Sequence, residues 1–166
     1  MTRPTDHAAR LTALTRHDVS ILVEAGAGSG KTTLMAGRIA RMLANGTPPD
    51  QIAAITFTEA AATHLRNAVH DLLTRLARGD VPSEVADAFP DADEATFQAT
   101  VDTALAHLDA LTCSTIHAFA RVLTTPYPVE ANVDPGATML EPHDANRMFH
   151  EVRETWLRGI LDEDGS

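Results

Sequence analysis

Ser20-Ile21-Leu22-Val23-Glu24 runs directly into Ala25-Gly26-Ala27-Gly28-Ser29-Gly30-Lys31-Thr32-Thr33. An apolar, β-prone run thus enters a loop of small residues that closes on Gly-Lys-Thr at the start of a helical pattern. This is the layout of a phosphate-binding loop. Glycines let backbone N–H groups turn inward around an anion, and the helix N-terminus adds its dipole. The lysine reaches the β- and γ-phosphates, and the hydroxyl after it ligates Mg²⁺. The pattern G-x-x-x-x-G-K-[ST] is met except at its first position, where Ala25 stands for Gly. The reading assigns nucleotide contact to Ala25, Gly26, Ala27, Gly28, Ser29, Gly30, Lys31, Thr32 and Thr33. Lys31 and Thr32 take the catalytic roles, and Thr32 is the metal ligand. ATP and Mg²⁺ are the expected cofactors. Lys31 is the only lysine in a chain whose other basic residues are all arginines. A compact ammonium does here what a forked guanidinium does poorly.

The 166 residues suffice for a domain with a real core, and 44% hydrophobic content is ordinary for a globular protein. Only 4% are aromatic, so that core must rest on Leu, Ile, Val and Ala. A net charge of −10 excludes a generally basic nucleic-acid coat. The charge is unevenly placed: residues 1–79 balance at +3 and residues 80–166 at −13. One cysteine, Cys113, allows neither an internal disulfide nor metal-ligand spacing, and is read as a small buried residue. The amino terminus lacks the apolar core of a signal peptide, and no apolar run is long enough for a bilayer. A soluble, cytoplasmic protein is the expectation.

Outward from the loop, Asp6 is placed to cap a first helix with Ala9, Leu11 and Leu14 on its less polar face. Residues 19–24 read as a strand. The helix from Lys31 carries Leu34, Met35, Ile39, Met42 and Leu43 at helical spacing and stops at Asn45-Gly46 before Pro48-Pro49. Residues 51–58 read as a second buried strand, and 59–78 as the longest helix, striped by Leu65, Val69, Leu72, Leu73 and Leu76. Arg66, Arg75 and Arg78 lie off that stripe, either as a solvated face or as phosphate contacts. Residues 80–94 read as a solvated acidic connection with at most a short helix, and 95–108 as a helix. Residues 111–114 read as a third short strand, and 115–123 as a helix capped by Ser114 or Thr115. A final helix over 144–161 has Met148, Val152, Trp156 and Ile160 as its apolar stripe, with Trp156 read as core. Alternating strands and helices predict an α/β fold, a parallel sheet flanked by helices with a mostly helical second part.

Three stretches, in order, resemble the N-terminal part of superfamily 1 DNA helicases of the UvrD/RecB/AddA kind. They are EAGAGSGKTT (24–33), ITFTEAAATHLR (55–66) and STIHAFARVL (114–123). The first matches the family's phosphate loop, which commonly carries Ala at its first position. The second is similar to motif Ia and the third to motif Ib. PVEANVDPGATML (128–140) is similar to the linker that follows. The TIHAFA wording, and Glu59 after TFT, lean toward the RecB/AddA branch rather than UvrD/Rep.

The resemblance implies part of a RecA-like motor domain. On it, residues 1–79 are the N-terminal half with motifs I and Ia, 80–110 an acidic connection and helix, 111–125 the motif Ib segment, and 126–166 the start of a helical inserted subdomain. It also makes Phe57, Thr58, Thr115 and His117 candidates for single-stranded DNA contact, although Phe57 alone reads as core and His117 alone as structural. The function implied is ATP-dependent DNA unwinding in recombinational repair. The further partner implied is the remainder of the helicase or a separate protein working with it.

Two departures stand out. The family's adenine-recognising glutamine has no clear counterpart, since residues 6–14 offer His7 or Arg10 instead. No Asp-Glu pair ends an apolar strand, and no Gly-Asp-x-x-Gln stretch or arginine-finger motif follows, so ATP hydrolysis by this chain alone is not expected. A truncated reading frame, an excised piece or half of a split enzyme fits that pattern. The competing classes are a small phosphate-loop kinase and a non-catalytic nucleotide- or DNA-binding module.

Overall fold

A computed structural model describes residues 5–26, 28–90, 94–134, 136–138 and 140–163. The chain divides into two units, residues 1–121 and 122–166. In the first, helix α1 (His7–Thr15) is followed by an irregular stretch through the glycine loop, and helix α2 (Lys31–Ala44) starts at Lys31 as the sequence requires. A 3-10 turn, Pro49–Gln51, leads into strand β1 (Ala53–Thr56), and helix α3 (Glu59–Ala77) follows. Helix α4 (Ala95–Ala106) and a 3-10 turn, Leu108–Ala110, precede strand β2 (Thr112–Thr115). Helix α5 (Ile116–Thr124) carries the chain into the second unit.

The expected α/β class holds in the form of a two-stranded parallel sheet with helices packed on it. Ala53 pairs with Thr112, Ala54 with Cys113, Ile55 with Ser114 and Thr56 with Thr115. Strand side chains alternate between faces. Ala54, Cys113 and Thr115 are buried, and α3 packs against both strands.

The core is aliphatic, as composition demands. Leu43, Val69, Leu73, Leu76, Val101 and Leu111 are each less than 2% exposed. The α3 stripe is buried throughout. On α2, small residues do much of the packing: Ala36, Gly37, Ala40 and Ala44 let α1 and α3 approach closely. A Cβ on Gly37 would stand 2.7 Å from Leu14 Cδ2, so only glycine fits that crossing without displacement.

Three expectations are corrected. Residues 19–24 form no strand: they join no ladder among the described residues, and Leu22 is 85% exposed. β-propensity yields a strand only when a neighbour supplies the other half of each hydrogen bond.

Residues 80–94 are not a purely solvated connection. Val85, Ala88 and Phe89 are buried in the core, with a 3-10 turn at Ala86–Ala88. Phe89 meets Phe97 edge to face at 6.2 Å and lies under the Arg41 guanidinium at 5.7 Å, while His7 Nε2 reaches Asp87 Oδ2 at 2.8 Å. The described acids, Asp80, Glu84, Asp87 and Glu94, are exposed, while Val85, Ala88 and Phe89 between them face the core. Asp91 and Asp93 lie outside the described residues.

In the second unit, helix α6 (Pro142–Glu163) is longer than expected, and Trp156, read as core, is 62% exposed. Among the described residues from 125 onward α6 is the only helix, and a lone helix has no second layer within its unit to bury a stripe. No helix among the described residues is long and apolar enough to cross a membrane.

Candidate functional site

The glycine loop is shaped by two left-handed residues, Gly28 at φ +72° and Gly30 at φ +83°. Non-glycine residues avoid this region, so the sequence Gly-Ser-Gly is what allows the turn. Gly30 is the N-cap of α2, and its carbonyl accepts the Leu34 N–H at 2.9 Å, the first helical bond. The N–H groups of Lys31, Thr32 and Thr33 precede that bond. They are among those an α-helix leaves without internal partners.

Lys31 folds back over the loop. Its ammonium donates to the Ala25 carbonyl at 2.7 Å and to the Gly26 carbonyl at 2.6 Å. Ser29 Oγ donates to the same Gly26 carbonyl at 2.8 Å. Thr32 is half-buried and Thr33 exposed; Ala27 lies outside the described residues. Two loop carbonyls, those of Ala25 and Gly26, are thus gathered on one ammonium, and Ser29 joins them through the Gly26 carbonyl.

Two arginines brace the loop, one directly and one through α1. Arg10 donates from Nη2 to the Ser29 carbonyl at 2.9 Å and from Nε to Asp6 Oδ2 at 2.7 Å. Arg38, on α2, donates from Nη1 to the carbonyls of Ala13 and Arg16, at 2.5 and 2.8 Å. These are carbonyls that the end of α1 leaves free. A cavity of about 400 Å³ opens between α1 and the loop, lined by Asp6, Ala9, Arg10, Leu22, Lys31 and Leu34 among others. That is within the size range of small-molecule sites.

A second cluster stands at the C-terminal ends of the two strands. Because Thr56 lies opposite Thr115, Phe57 and Ile116 leave the sheet at the same end. Phe57 is 91% exposed and contributes nothing to the core, contrary to its reading in isolation. Thr58 caps α3, its Oγ1 accepting the Ala61 N–H at 3.1 Å. Thr115 is 8% exposed and its Oγ1 accepts the Ala118 N–H at 3.3 Å, so it shapes the start of α5 from beneath. His117 is exposed on the first turn of that helix. No ladder bond among the described residues joins this cluster to the run before the loop.

Arg66 is the residue the sequence placed least well. Its Nη2 donates to the carbonyls of Leu111, at 3.2 Å, and Cys113, at 3.4 Å. Alternate residues of a strand point their carbonyls to the same side. The Thr112 N–H faces the β1 side, bonded to Ile52, so these two carbonyls line the outer edge of β2. A helical arginine four residues after a buried alanine was the available signal, and it does not reveal a distant backbone partner. Burial pushes the Cys113 thiol above its ordinary range, with the Arg66 charge opposing. No cluster of three or more metal-ligating side chains occurs among the described residues.

This arrangement coincides with a known sequence family. Residues 7–164 match the model of the UvrD/REP helicase N-terminal domain, and the chain belongs to that family. It is 32% identical over 133 residues to RecB of the RecBCD enzyme from Mycolicibacterium smegmatis, covering 76% of this chain and 12% of that protein. It is 30% identical over 151 residues to the A subunit of the ATP-dependent helicase/nuclease of Pediococcus pentosaceus, covering 88% of this chain and 11% of that one. The corresponding protein of Desulforamulus reducens is 28% identical over 160 residues, 95% of this chain and 12% of the relative. The chain thus spans about an eighth of the length of the curated relatives it matches.

Proposed function

We propose that the chain is the nucleotide-binding opening part of a RecA-like DNA helicase motor of the RecB/AddA kind, serving ATP-dependent unwinding in recombinational repair. The observation that carries this reading is the loop: two left-handed glycines, a helix beginning at Lys31, and the Lys31 ammonium held within 2.6–2.7 Å of the Ala25 and Gly26 carbonyls. An ammonium held only by neutral carbonyls is exchanged readily for one held by phosphate oxygens. Residues 25–33 would surround the β- and γ-phosphates, Lys31 would oppose their charge, and Thr32 would hold Mg²⁺. The fit of Thr32 rests on its place in the first turn of α2. Bound Mg²⁺ would supply charge neutralisation at the phosphate oxygens.

Single-stranded DNA would cross the strand ends. The exposed Phe57 ring would stack on a base, Thr58 Oγ1 would donate to a phosphate, and His117 would meet the strand from α5. Thr115, buried as it is, would act by holding the turn that presents His117.

Binding of a fluorescent ATP analogue in Mg²⁺ tests the reading. Saturable binding that falls at least about tenfold in Lys31→Ala is the expected result, the loss of one strong charged contact. No ATP turnover above that variant is expected, because the metal carboxylate, water-positioning group and arginine finger are not in this sequence. Binding indifferent to Lys31→Ala, or turnover that Lys31→Ala abolishes, would refute one half or the other.

A further inference from the structure

We infer that a cavity at the N-terminal ends of the two strands binds a small aliphatic amine in its protonated form. The site is independent of the nucleotide reading and shares no residue with the glycine loop or the strand-end cluster. Its volume is about 540 Å³, within the range of small-molecule sites. The turn after α2, from Gly46 to Asp50, walls one side and α4 the other, and Ala110, just before β2, completes it. Leu43 and Ala104, at 1% and 5% exposure, give it an apolar floor on which an aliphatic body would rest.

The polar groups around that floor are of one kind. Asp50 brings a carboxylate, which only accepts. The hydroxyls of Thr100 and Thr103 donate to the Thr96 and Ala99 carbonyls, at 2.9 and 2.8 Å, which leaves their oxygens as acceptors. A carbonyl only accepts, so the His107 ring, whose Nδ1 is 2.9 Å from the Thr103 carbonyl, carries its proton there and in the neutral ring presents Nε2 as an acceptor. Two helices also end at the cavity: Leu43 lies in the last turn of α2, and Thr103 and Ala104 in the last turn of α4. Helix C-termini carry a partial negative charge. No lysine or arginine lines the cavity among the described residues, and Arg41, the basic residue in the last turn of α2, lies over Phe89 instead. A carboxylate, two negative helix ends and a set of acceptors call for a cation that carries N–H donors. No Phe, Tyr or Trp lines the cavity among the described residues, so the aromatic cage that suits quaternary ammonium ions is not built here. The head is therefore a primary or secondary ammonium.

The test is an NMR titration of the full chain, following backbone amide shifts, with n-hexylamine at about pH 8, which keeps a primary amine protonated. Hexanol, hexanoate and hexyltrimethylammonium keep the apolar body and change the head. Saturable shifts centred on residues 43–50 and 99–110 are expected with hexylamine. An ion pair at an exposed carboxylate makes its binding about threefold tighter than that of hexanol, and hexanoate should not bind. Hexyltrimethylammonium, which has the charge without the donors, should bind less tightly than hexylamine. Asp50→Asn should bring hexylamine to the hexanol value and leave hexanol unchanged. Ala99→Trp, an exposed helix position at the cavity wall, should abolish binding of both, and the rest of the spectrum reports that each variant is folded. Hexylamine binding no tighter than hexanol, or unaltered in both variants, overturns the inference. So do hexylamine shifts centred on residues 25–33 or on Phe57, and so does an absence of shifts. None of these outcomes bears on Lys31-dependent nucleotide binding.

Discussion

Removing the Arg66 guanidinium separates three accounts of that residue by number. Arg66→Met keeps the aliphatic stem and deletes the fork that donates to Leu111 and Cys113 at 3.2 and 3.4 Å. Both residues are buried, at 1% and 9% exposure, so water does not readily replace the lost donor. A hydrogen bond from a charged donor contributes about 1.5–3 kcal/mol at good geometry, and a neutral one about 0.5–1.5. These two are long, and one nitrogen serves both, so the pair together is worth about 2 kcal/mol. For a chain of this size that lowers the melting temperature by about 4–8 °C.

Urea unfolding followed by circular dichroism, read as a shift in midpoint at constant slope, is the assay. A merely solvated arginine would change stability by no more than about 0.5 kcal/mol. An arginine serving DNA phosphate would leave stability unchanged and reduce the salt dependence of single-stranded DNA binding by about one phosphate. A midpoint within that margin of about 0.5 kcal/mol, with or without a DNA effect, would refute the edge-clamp reasoning.

Two further outcomes follow from the same structure. Phe57→Ala should weaken single-stranded DNA binding by about 1–3 kcal/mol, measured by fluorescence anisotropy, while leaving the melting curve in place because the ring buries nothing; a large loss of stability would return Phe57 to the core. His17 is held below its ordinary range by burial first, against the Leu14 carbonyl that favours its charged form, with the Arg38 and Arg41 charges adding to the depression. Its neutral form is thus favoured on folding. That stability is present above the unfolded histidine value of about 6.5 and is lost as pH falls below it, because the unfolded chain then binds the extra proton. His17→Gln should flatten the dependence of midpoint on pH between about 5 and 7, and an unchanged slope would assign it to another histidine.

The helices are legible in the sequence because what starts and stops them is local. Asn45-Gly46 before two prolines ends α2, Gly79 at φ +72° ends the turn after α3, and Thr58 caps α3 with its own hydroxyl. The glycine loop is legible for the same reason: its two positive φ angles are properties of Gly28 and Gly30 themselves. What resists reading depends on distant partners. Arg66 reaches carbonyls 45 and 47 residues away, and no periodicity encodes that. Phe89 and Val85 sit in a stretch whose composition is dominated by its exposed acids, so the buried minority is masked. Trp156 follows a proper helical stripe, but a stripe states only that a helix can bury a face, not that its own unit supplies the surface.

The loop and the sheet obey different kinds of cause, and this explains how the site keeps its form where the preceding run does not. Residues 20–24 need hydrogen-bonding neighbours to become a strand, and without a ladder they remain irregular, with Leu22 turned outward. The loop that follows needs none. Its turn is set by glycine sterics, its closing edge by the first helical bond of α2, and its flank by Arg10 on the Ser29 carbonyl. Arg38 then ties α2 to the end of α1, so the helix that carries Arg10 is anchored to the helix that carries Lys31. The loop, with the phosphate role proposed for it, is preorganised by contacts among residues 6–38. The strand-end cluster is organised by β1, β2 and α3 through Arg66. Arg66→Met should therefore disturb single-stranded DNA binding before it disturbs nucleotide binding, because the hydrogen bonds that shape the loop run through α1 and α2 and not through β2.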